Sequence, residues 1–147
     1  SICLPLYDPH GQITRLKQLV AAYPPLLRTK TINSGLWLAE FSLINAESYA
    51  RNGNGYAVVG TLARTAAYLT QALFAINETY FMSDKTALTE MASFQRLPEK
   101  YVEQLMAVLS HPGQTPAELE AAVEAMRRLW AGVAALTGGA YRPAFSL

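Results

Sequence analysis

Two histidines, His10 and His111, and one cysteine, Cys3, are the only imidazole and thiol side chains available to ligate a metal such as zinc. A structural zinc site needs four ligands and none of these three sits in a metal-spaced cluster, so no metal site is expected. His10 falls in a turn. His111 stands at a helix end beside Pro112, where an imidazole suits the negative end of the helix dipole. Cys3 lies in an apolar run with no base beside it and reads as a small hydrophobe rather than a nucleophile. Gly53, Gly55 and Gly60 lack the Walker spacing, its lysine and the dinucleotide fingerprint, which leaves a loop between helices. Asp8, Glu40 and Glu47 fall on separate elements or helix faces, so paired carboxylate chemistry would depend on the fold bringing them together. Glu47 reads as solvated, and Arg127-Arg128 as surface charge. Arg64 and Asn77 carry more information, because they interrupt an otherwise apolar helix and must there be paired or face a cleft. Lys85 follows close behind them, after Tyr80, Phe81 and Met82, which read as core or interface residues.

The elements that must position these residues are mostly helical. Residues 2–7 form a short apolar run before the turn Asp8-Pro9-His10-Gly11 and read as one strand. A strand needs a neighbour for its backbone hydrogen bonds, and nothing else alternates with period two over a comparable length, so this end looks severed from a sheet. From Gln12, Ile13, Leu16, Leu19 and Val20 lie at helix-face spacing until Tyr23-Pro24-Pro25. The two prolines then open a longer helix reaching about Arg51, with Gly35 as a point of weakness or bending. Asn52-Gly53-Asn54-Gly55 turns the chain back. A third helix is expected from about Tyr56 to Phe81, with Val59, Leu62, Ala63, Ala66, Leu69, Ala72, Leu73 and Ile76 as its apolar positions, at the centre of the bundle. Ser83-Asp84 caps a short helix through Phe94, and Tyr101 to Leu109 forms another, ended by Pro112-Gly113. Thr115-Pro116-Ala117-Glu118 combines an N-cap, a first-turn proline and a capping-box acid, which starts a final helix to about Leu136. The expectation is an all-α antiparallel bundle of five to six helices over residues 12–137, with 1–11 a strand and turn remnant and 138–147 a tail.

Composition narrows the function classes. The chain has 147 residues, enough for one domain with one hydrophobic core. It is 51% hydrophobic and only 16% charged, so some apolar surface should meet a partner. A net charge of +1 gives no global electrostatic case for nucleic acid or an anionic membrane. No apolar run reaches the roughly 18 to 20 residues of a membrane span, because Arg64, Gln71, Asn77 and Glu78 interrupt the most hydrophobic stretch. A lone cysteine favours a reducing, cytoplasmic setting. The first residue is Ser1, which suggests either a removed initiator or a piece of something longer.

Leu73-Phe74-Ala75-Ile76-Asn77-Glu78-Thr79-Tyr80-Phe81, followed by Asp84-Lys85, resembles the C-terminal helical domain of bacterial nucleotidyltransferase-like proteins, in which a helix ending in a "LFALN" pattern precedes an aromatic residue and a lysine. Tyr7-Asp8-Pro9-His10-Gly11 is similar to the exit from the last strand of the nucleotidyltransferase sheet, and the likeness covers roughly residues 2 to 135. It implies a fold like the helical bundles attached to aminoglycoside nucleotidyltransferases and the HEPN-type helical domains. Such enzymes are similar in using a Gly-Ser motif and paired aspartates on a mixed sheet to hold magnesium and a nucleoside triphosphate. This chain has neither, and neither histidine follows an arginine as in the Arg-x4-6-His motif of HEPN ribonucleases. The resemblance therefore implies an acceptor-binding helical half that is not catalytic alone. Magnesium and the triphosphate belong to an N-terminal nucleotidyltransferase domain, on the same chain or a separate one. Arg64, Asn77 and Lys85 are its candidates to line the cleft facing that half. Glu40 is its weakest candidate, for the base that a helical-domain glutamate supplies to the acceptor hydroxyl in related antibiotic-modifying enzymes. Two other readings stay open: a non-catalytic interaction module that homodimerises through its apolar surface, and a small-molecule binder with a cavity between its long helices.

Overall fold

The computed structural model describes residues 4–145, and within them the chain forms six α-helices and no strand. They are α1 (Gln12–Leu19), α2 (Pro25–Arg51), α3 (Gly55–Ile76), α4 (Asp84–Met91), α5 (Tyr101–Ser110) and α6 (Pro116–Ala135). The all-α bundle is as the apolar spacing implies. The start signals work as local chemistry: Pro25 sits in the first turn of α2, Asn54 accepts the Ala57 amide, and Ser83 accepts the Lys85 amide. Thr115 and Glu118 form a reciprocal capping box at α6.

The long pair α2 and α3 is joined through Asn52–Asn54 and runs antiparallel, which brings Gly35 of α2 against Tyr68 and Ala72 of α3. A Cβ at Gly35 would stand 2.8 Å from the Tyr68 carbonyl oxygen. The residue expected to weaken α2 therefore lets the two helices approach, and α2 continues through it. α6 lies along α2, tied by the buried Trp130 indole, which donates to the Leu36 carbonyl at 3.1 Å. The core runs through Leu36, Leu43, Leu62, Leu69, Leu73, Phe74, Leu119 and Met126. α4 inserts Ala87 and Met91, and α5 inserts Tyr101, Leu105 and Val108.

Three expectations change. Of the expected strand, Leu4–Tyr7 form none, since no second strand offers them a hydrogen-bonding edge; Ser1–Cys3 lie outside the described residues. Leu4 and Leu6 are instead 81% and 100% exposed. The third helix stops at Ile76 and not Phe81: Glu78 takes a left-handed backbone, its amide donates to the Ala75 carbonyl, and the Thr79 amide donates to the Phe74 carbonyl. Those two bonds make a Schellman terminus with Glu78 where glycine is the usual residue. The segment expected as a tail is docked as far as it is described, and Tyr141 is buried.

Candidate functional site

Glu40, the candidate base, is on the inward face of α2 and fully buried. Its carboxylate accepts from the Tyr141 hydroxyl in a short bond, from the Phe145 amide at 2.7 Å and from the Ala144 amide at 3.2 Å. Charge-assisted bonds of this kind offset the burial of the anion. Burial pushes the Tyr141 hydroxyl pKa upward, and the adjacent Glu40 carboxylate pushes it the same way. In this arrangement Glu40 anchors the C-terminal segment to α2 and faces no cleft. Phe145 continues outward onto Trp37 and Phe41, which stack with their ring planes 1° apart and centroids 5.5 Å apart on the exposed side of α2.

Asn77 does reach a cleft. As the C-cap of α3 its amide donates at 2.9 Å to the carbonyls of Leu73 and Arg96, and its carbonyl oxygen accepts the Arg96 amide at 3.0 Å. That three-bond clamp fixes the turn after α4 against the end of α3. The space between them is a cleft of about 460 Å³ whose walls include Arg28, Asn77, Glu78, Glu90, Ser93 and Arg96. Arg28, Ile76 and Arg96 also line a smaller depression on the other side, reaching Asn33 and Thr137. Phe74, inside, is held edge-on by Phe81 and Phe94 at 5.2 and 4.9 Å, so the aromatic part of the motif is core.

The cleft's charges are incompletely satisfied. Arg28 Nε lies 3.5 Å from a Glu78 carboxylate oxygen, yet this nitrogen is buried and has no hydrogen-bond partner among the described residues. The Tyr80 hydroxyl, two residues beyond Glu78, is also buried without a partner, its ring 4.7 Å from Tyr23. Glu78 itself has φ 54°. A left-handed backbone costs a non-glycine residue about 1–2 kcal/mol, and a solvent-exposed ion pair returns about 0–1 kcal/mol, so stability does not account for a glutamate at this position. Arg96 donates to the Leu136 carbonyl in a short bond, which tethers the α4–α5 connection to the end of α6.

Arg64 and Lys85 do not join Asn77 there. Arg64 is exposed on α3, thirteen residues before Asn77 and so about 20 Å along the helix axis, and donates to the Thr61 hydroxyl at 3.0 Å. Lys85 is exposed in the first turn of α4. Glu47 is more than solvated: it pairs with Arg51 and, at 3.4 Å, with Arg127, linking α2 to α6. Asp8 caps α1, accepting from the Ile13 and Thr14 amides and the Thr14 hydroxyl, and the Thr14 amide bond leads in holding its pKa below the usual carboxylate value. Among the described residues no three His, Cys, Asp or Glu side chains cluster as a metal-ion cage. Nor is any described helix long and apolar enough to cross a membrane. Sequence reading missed Arg28, Glu78 and Arg96 as neighbours, because they are separated by up to 68 positions and only the folded ends of α2, α3 and α4 bring them together. Glu78 did carry a signal, standing inside the motif that carries the resemblance. No family model, curated protein or solved structure matches this chain.

Proposed function

We propose that this chain is the helical, acceptor-facing domain of a nucleotidyltransferase-type protein, with a catalytic sheet domain seated against its N-terminal segment and α1. The observation that carries the reading is the uncovered apolar surface there. α1 buries no residue, Leu16, Leu19 and the C-cap Val20 are exposed, and so are Leu4, Leu6, Tyr7, Leu26 and Leu27 on either side of it in the sequence. Covering these eight partly exposed apolar side chains is worth on the order of 10 kcal/mol, a large free energy for water-exposed groups to forgo. The residues similar to a strand exit, Tyr7 to Gly11, immediately precede α1. Magnesium and the nucleoside triphosphate would be held by the Gly-Ser and paired-aspartate motifs of the partner domain. Assay of the native assembly for magnesium-dependent transfer of a labelled nucleotidyl group is the test. The reading predicts transfer, with loss of both assembly and activity in Leu16→Asp/Leu19→Asp; a native assembly in which no chain carries a Gly-Ser and paired-aspartate sequence contradicts it.

A second reading, a non-catalytic module that associates with its own copy, is favoured by the half-exposed Trp37, Phe41 and Phe145 cluster. Light scattering separates the two: a mass that doubles with concentration and reverts in Phe41→Ser supports self-association, and a monomer at high concentration removes it.

A further inference from the structure

The cleft beside Glu78 joins features that packing does not require together. Its walls carry two guanidinium groups, Arg28 and Arg96, and two carboxylates, Glu78 and Glu90. Arg96 is engaged with the Leu136 carbonyl and Glu90 accepts the Thr86 hydroxyl, so each has a protein partner. Arg28 and Glu78 face one another loosely, at 3.5 Å, with the Arg28 Nε hydrogen unused. Glu78 holds its side chain over the cleft from a backbone conformation that favours glycine. We propose that this cleft binds a small zwitterion, a molecule carrying an oxyanion and an ammonium group a few atoms apart.

The oxyanion takes Arg28, which is 34% exposed in its side chain and whose planar fork suits a carboxylate or phosphate. The ammonium group takes Glu78, which is 61% exposed in its side chain and, among the described residues, pairs with no cation but Arg28. Such a ligand replaces one loose contact by two charge-assisted ones and leaves no charge unmatched. A bare anion would meet Glu78 and Glu90, and a bare cation would meet Arg28 and Arg96; with two charges of each sign, the cleft favours neither. Its volume of about 460 Å³ lies within the range of small-molecule pockets. The inference does not depend on a catalytic partner: it concerns residues of this chain alone, and either reading of the domain's role can fail without the other.

The test is titration followed by amide NMR, with β-alanine and O-phosphoethanolamine as zwitterions and propionate, inorganic phosphate and ethanolamine as their single-charge halves. Saturable shifts confined to residues 77–79 and 93–96 are expected for at least one zwitterion, with the halves binding about tenfold or more weakly. Glu78→Gln, which keeps the backbone, and Glu78→Gly, which relieves it, should each weaken the zwitterion by about tenfold, the loss of one charged contact. A merely structural ion pair would leave binding unmoved. Absence of saturable shifts with both zwitterions, halves that bind as tightly as the whole, or unchanged affinity in Glu78→Gln each overturns the proposal. A carboxylate-selective or phosphate-selective response identifies which oxyanion the site takes.

Discussion

Glu78 occupies a backbone position suited to glycine, and its replacement separates stability from binding. Glu78→Gly should raise unfolding free energy by about 1 kcal/mol in urea titration, because relief of the left-handed strain exceeds the loss of one exposed ion pair. An unchanged or lower value would show that the Arg28 contact carries more than its geometry suggests. At the other end of the bundle, the Glu40 carboxylate holds the C-terminal segment through Tyr141, Ala144 and Phe145. Tyr141→Phe removes one hydrogen bond to a buried charge, and a loss of about 2 kcal/mol is expected, with faster hydrogen exchange at the Ala144 and Phe145 amides. The pH dependence follows from the raised Tyr141 pKa. The folded chain keeps the phenol proton above pH 10, where the unfolded chain releases it, so this contribution is full below about pH 10 and is lost as pH rises toward the folded value. Tyr141→Phe should flatten the fall in stability measured between pH 9 and about 12. Residue identity alone marked Asn77 as a polar group needing explanation, and only the resemblance singled out Glu40; neither showed that one clamps a turn and the other a C-terminal segment, since their partners lie 19 and 101 or more positions away.

The helices were legible wherever a stop or start has its own chemistry. Pro24-Pro25, Asn52–Gly55, Ser83 and the Thr115–Glu118 capping box place the starts of α2, α3, α4 and α6, because proline, left-handed turns and side-chain caps act over a few residues. The end of α3 was not legible, because glutamate stands at the terminus where glycine would announce it. Nor was the role of Gly35, which depends on where α3 crosses α2. Gly35→Ala improves local helix propensity by about 1 kcal/mol yet places a methyl 2.8 Å from the Tyr68 carbonyl oxygen, and separating the two backbones costs about 1–3 kcal/mol. A net loss in melting temperature is expected by calorimetry; a gain would mean that α2 and α3 slide apart freely.

For the molecule as a whole, the 51% hydrophobic content signalled apolar surface in excess of one core, and the structure locates much of it on residues 4–27 and on the Trp37–Phe41–Phe145 patch. The bundle could be read from periodicity because each helix states its own apolar face. The cleft could not, since it exists only where the ends of α2, α3 and α4 meet. Neither could the state of residues 4–7, which depends on whether another strand is present to pair with them. The proposed nucleotidyltransferase sheet domain would cover this N-terminal surface. Cross-linking mass spectrometry of the native assembly tests it most directly. The account predicts cross-links from Lys17 and its neighbours in α1 to a segment, on the same product or a stoichiometric partner, that carries a Gly-Ser motif and paired aspartates. A native product in which those positions cross-link only to this helical chain or its own copy would contradict it.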